Sequence, residues 1–114
     1  MTHNPYSDFD PLFIELMKKA DLSCLHPTSS NKLIAYVLNR AILDIRVGHT
    51  AYWKKRVPQA PEKALSWMSS TVNSNRPFSL KWVCDVLGLC PQYVLEESRA
   101  LYHEALKRYR SSCD

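Results

Sequence analysis

Glycine is scarce in this chain: only Gly48 and Gly88 occur among 114 residues. A sheet-rich fold needs many tight turns, several with positive φ, so the scarcity excludes that class and favours helices. Long apolar runs are missing as well. None approaches the ~18 residues a membrane span takes, so no membrane partner is expected. No N-terminal segment runs from charged to apolar as a signal peptide does. The four cysteines (Cys24, Cys84, Cys90 and Cys113) show no C-x-x-C spacing. With no signal-like segment and no membrane-length run, their thiols are expected to be reduced and the protein cytoplasmic.

Catalytic patterns are missing too. There is no Gly-rich phosphate loop, no paired-carboxylate spacing and no Ser-centred elbow, so no enzyme is expected. Cys24, His26, Cys84, Cys90, His103 and Cys113 could be assembled into a zinc site only on paper, because neither C-x-x-C nor H-x3-5-H occurs. Cys84 serves better as a small core residue. A Cys/His nucleophile pair fails for want of an activating neighbour that spacing identifies. No metal and no cofactor is expected.

What is present fits one domain over residues 1–114, with 46% apolar and 23% charged residues. Seven prolines stand mostly where helices begin or end. In "DFDPLFIELMKKADL", Asp10 caps, Pro11 suits the first helical position, and Phe9 with Ile14 has the spacing of a hydrophobic staple. "HPTSSN" is a loop ending in a cap. "NKLIAYVLNRAILDIRVG" places Leu33, Ile34, Val37, Leu38, Ala41, Ile42 and Ile45 at three- and four-residue steps, a wide apolar face that Gly48 ends. "HTAYWKKRVPQAP" is a polar extension broken by Pro58. "PEKALSWMSSTV" is a further helix, with Ala64, Leu65, Trp67 and Met68 for packing. "NSNRP" is a loop. The last helix, running through "RALYHEALKRYR", carries Val94, Leu101, Ala105 and Leu106, with Tyr102 and Tyr109 beside them. The expected architecture is all-α: a compact bundle of about five or six helices with a helix-turn-helix near the C-terminal end.

That motif lies in residues 79–99, around "SLKWVCDVLGLCPQYVLEES". Two short helices that cross steeply need a small residue on the first, a glycine with positive φ in the turn, and an apolar lock on the second. Cys84, Gly88 and Val94 occupy those places. Val83, Leu87 and Leu89 supply apolar partners, Ser79 caps the first helix, and Pro91 opens the second. Cys90 stands where a capping Asp or Ser is usual.

With these residues the sequence resembles the helix-turn-helix superfamily of bacterial and phage DNA-binding proteins, over about 20 residues. Over a longer span, "AILDIR", "ALSW" and "PFSLKWVCDVLGLCPQYV" resemble a group of small bacterial proteins ending in a "PFSF…LGLDP" segment, a likeness that implies no function. The superfamily resemblance implies a small transcriptional regulator of a bacterium or mobile genetic element, dimeric on double-stranded DNA. Its second helix would enter the major groove. Gln92, Tyr93 and Glu96 would then read bases, Gln on adenine and Glu on the cytosine amino group. Ser79, Lys81 and Arg99 would reach phosphates.

Charge is the counterweight. The formal net of +4 permits a nucleic-acid partner. Within residues 80–99, however, Lys81 and Arg99 face Asp85, Glu96 and Glu97, one negative charge in excess. Further phosphate contacts must come from Lys54, Lys55 and Arg56 or from Lys107, Arg108 and Arg110. The plainer reading of each cluster is a solvated helix face, or a cationic helix end that suits the dipole. Trp53, Trp67 and Trp82 with six tyrosines form either core or an exposed aromatic surface for a protein partner or dimer mate. The competing function is thus an interaction module whose acidic second helix meets a protein.

Overall fold

The computed structural model describes residues 9–20, 31–47 and 60–112. Among them stand five helices and no strand: α1 (Pro11–Lys18), α2 (Lys32–Val47), α3 (Ala60–Thr71), α4 (Leu80–Leu87) and α5 (Pro91–Ser112). The architecture is an all-α bundle. None of these helices is long and apolar enough to cross a membrane.

Local chemistry sets the start of α1. Asp10 is extended (φ −63°, ψ 141°), its carboxylate accepts from the Leu12 N–H at 2.8 Å, and Pro11 takes the first helical position. That carboxylate is also tied to α2. Arg46 donates to it through Nε and Nη2 at 2.5 and 3.0 Å, while the Asp10 N–H donates to Asn39 Oδ1 at 2.7 Å. One buried acid therefore starts a helix and docks it. Phe9 completes the joint, its ring 5.1 Å from Tyr36 and 5.4 Å from Phe13.

The centre of the bundle is α2, which touches the other four helices. Ala35, Leu38, Ala41, Ile42 and Ile45 are buried along it. The wide apolar face expected there is narrower than its spacing suggests. Leu33 and Val37 are 76% and 36% exposed. They form one edge of the stripe, four residues apart, while Ala35 and Leu38 between and beside them are fully buried. Phe13, Leu16 and Met17 of α1, Met68 of α3, Leu80, Val83, Cys84 and Leu87 of α4, and Val94, Leu95 and Leu101 of α5 close the core. Ala105 and Leu106 are only half-buried, so the last turns of α5 run past it.

Candidate nucleic-acid interface

The joint between α4 and α5 is built as its residues dictate. Ser79 is extended (φ −71°, ψ 162°) and its hydroxyl accepts from the Trp82 N–H at 3.1 Å. Leu80, Val83, Cys84 and Leu87 bury one face of α4. The helix ends at Gly88 in the left-handed region (φ 78°, ψ 28°), and the Leu89 N–H closes on the Cys84 carbonyl at 2.8 Å. A Cβ at Gly88 would lie 3.8 Å from Ala20, so space is not the constraint there; backbone conformation is. Burial pushes the Cys84 thiol up to about 12, leaving a small core group rather than a nucleophile. Val94 is fully buried and fastens the first turn of α5.

That first turn faces outward. Gln92, Tyr93 and Glu96 are all exposed. Helical spacing carries the line of Gln92 and Glu96 onward through Arg99, His103 and Lys107, also exposed, at steps of three and four residues, while Tyr93 stands at the edge toward α1. From Gln92 to Lys107 this outer stripe covers about 22 Å at 1.5 Å per residue. Arg110 continues the spacing, but its side chain lies outside the described residues, as do Lys54, Lys55 and Arg56 entirely.

Other candidates are placed differently. Ser79 is 2% exposed and its hydroxyl also donates to the Ser74 carbonyl at 2.7 Å. Both bonds lie inside the fold, so its side chain is a cap with nothing to offer a phosphate. Lys81 donates to Asn75 Oδ1 at 2.9 Å and to Asp85 at 3.2 Å. Arg99 reaches Ser69 Oγ of α3 at 3.5 Å. Arg108 pairs with Glu104 at 2.6 Å, off the outer stripe.

Two cations that sequence spacing did not single out are also exposed, one of them against Tyr93. Lys19, at the end of α1, donates to the Tyr93 hydroxyl at 3.0 Å and lies 4.9 Å from its ring centre. That hydrogen bond raises the lysine's pKa. Seventy-four residues separate the pair, and nothing local signals it. Arg76, in the α3–α4 loop, is exposed.

No protein-family model, no curated protein and no solved structure matches the chain. Geometry and charge therefore carry the functional argument.

A second stripe runs along the edge of α5 that faces α1. Glu97 and Glu104, with Glu15 across from them, line a cleft of about 280 Å³ floored by Pro11, Leu12, Ala100 and Leu101. Arg46 also lines it, already committed to Asp10. The adjacent glutamates therefore separate: Glu96 is on the outer stripe and Glu97 on the cleft. Among the described residues, no group of three His, Cys, Asp or Glu side chains is placed to hold a metal.

Proposed function

We propose that the protein is a small cytoplasmic DNA-binding regulator, acting as a dimer, that presents the first turn of α5 to the major groove. Gln92, Tyr93 and Glu96 are its base-reading residues. Arg99, Lys107 and Lys81 serve the phosphates, joined by Lys19 and Arg76. The observation that supports this reading best is the exposed outer stripe of α5. It starts with neutral and acidic groups able to read base edges and continues into cations on the same face. The one-charge deficit within residues 80–99 loses much of its weight in this arrangement. Lys81 and Asp85 cancel as a pair, but Glu97 is turned to the cleft and Lys19 adds a charge beside Tyr93.

The acid-lined cleft favours a second reading, in which a basic side chain from a protein partner docks between α1 and α5. Binding of the full chain to a short mixed-sequence duplex, followed by fluorescence anisotropy between about 50 and 200 mM salt, decides between them. The DNA reading predicts binding at low salt that weakens steeply as salt rises. It further predicts that Gln92→Ala shifts sequence preference, whereas Lys107→Ala weakens every duplex alike. Absence of binding at low salt contradicts it.

A further inference from the structure

Phe78 is the one described residue other than glycine with a positive φ, at 64°. That region is strongly disfavoured for a bulky L residue. The conformation does not serve to bury the ring, which remains 54% exposed. Instead a set of hydrogen bonds holds the loop so that the ring stands out. The Trp67 indole N–H donates to the Phe78 carbonyl at 3.2 Å, and the Ser79 N–H to the Arg76 carbonyl at 3.1 Å. The Leu80 N–H donates to Thr71 Oγ1 at 2.8 Å, and the Ser79 hydroxyl to the Ser74 carbonyl at 2.7 Å. The presented ring lies 5.0 Å from that of Trp82, tilted by 46°.

Cations flank this aromatic pair. Arg76 is exposed two residues before Phe78, and its guanidinium has no partner among the described residues. The Lys81 ammonium reaches back over the loop to Asn75. Lys63 is exposed one helical turn before Trp67. The acid nearest in sequence, Asp85, is engaged by Lys81. The surface is thus apolar at its centre and positive at its rim, which suits an anionic partner. It also stands at the N-terminal end of α4. In a helix-turn-helix complex the first helix crosses the DNA backbone beside the groove that the second helix enters.

We infer that Phe78 and Trp82, with Arg76 and Lys81, form a second DNA contact that grips the sugar–phosphate backbone next to the groove read by α5. This rests on the DNA reading above. The rings cover deoxyribose while the two cations take the adjoining phosphates. Such a contact carries no base information, so it strengthens binding to all sequences equally.

The test uses the full chain and three variants, Phe78→Gly, Phe78→Tyr and Arg76→Ala, titrated with several short duplexes and, in parallel, with poly-glutamate. Phe78→Gly should lower affinity about fivefold on every duplex. Its thermal midpoint should not fall, because glycine accepts the positive φ. Phe78→Tyr should keep wild-type affinity. Arg76→Ala should reduce the slope of log affinity against log salt by about 0.9, the share of one phosphate. Duplex binding by the wild type that Phe78→Gly leaves unchanged overturns this contact and leaves the DNA reading standing. A wild type that binds no duplex overturns both. Poly-glutamate binding that depends on Phe78, without duplex binding, assigns the surface to an acidic protein and overturns the inference as well.

Discussion

The outer and cleft-facing stripes of α5 share one helix and one starting turn, yet they present opposite chemistry. Gln92, Glu96, Arg99, His103 and Lys107 are exposed to solvent, and only Glu96 among them is acidic. Glu97 and Glu104 look across a cleft at Glu15. A charge count along the chain merges the two, because residues 96 and 97 are neighbours. A helix turns by about 100° per residue, so those neighbours meet different partners. Net charge over a segment is therefore a poor guide to what a helix face can bind. The charge of each stripe, including what neighbouring helices add, is the better one.

Several variants break or sharpen this contrast. The largest effect should come from Asp10→Ala, which loosens the helix opposite the cleft-facing stripe. It deletes the cap of α1 and leaves the Arg46 guanidinium without its carboxylate. A loss of about 3 kcal/mol is expected in urea denaturation, with some of the buried-pair cost relieved because Arg46 is one-third exposed to water. Gly88→Ala strains the turn from which both stripes start. With φ at 78° and only ordinary contact between the added Cβ and Ala20, the cost is backbone strain alone, about 1 kcal/mol by the same measurement. Ser98 lies on the buried side of α5, away from both stripes, and its hydroxyl has no hydrogen-bond partner among the described residues. Ser98→Ala should raise stability by up to about 1 kcal/mol and leave DNA affinity unchanged. A fall in stability would mean that this hydroxyl is satisfied in solution.

Much of the fold is legible in the sequence wherever chemistry is local. Asp10 before Pro11, Ser79 before an amphipathic turn, and Gly88 four residues after Cys84 each announce a helix boundary, and each boundary stands where it is announced. Cys84 and Val94 are buried as their spacing implies. The apolar pattern of α2 misleads at Leu33 and Val37, since periodicity tells which residues share a face but not how much of that face the neighbouring helices cover. The candidate site is less legible. Ser79 reads equally well as a cap and as a phosphate contact, and only its burial with two internal hydrogen bonds decides. Lys19 reaches Tyr93 because the end of α1 abuts the Gly88 turn, a tertiary fact without a local signature. Phe78 carries no sequence mark of its positive φ, because the bonds that hold it come from Trp67, Thr71 and Ser74.

The central claim is that the outer stripe faces DNA and the cleft-facing stripe does not, and one measurement tests it with a single kind of change. Duplex affinity at low salt is compared for the wild type, Glu96→Gln and the double variant Glu97→Gln/Glu104→Gln. On duplexes of arbitrary sequence, where Glu96 meets no cytosine amino group to accept from, removing its carboxylate from the outer stripe should tighten binding by about fivefold. Removing two from the cleft should change it by less than about twofold, because they lie off that face and are screened. Equal tightening per charge removed, or a larger gain from the double variant, would contradict the account and place the nucleic acid on the other side of α5.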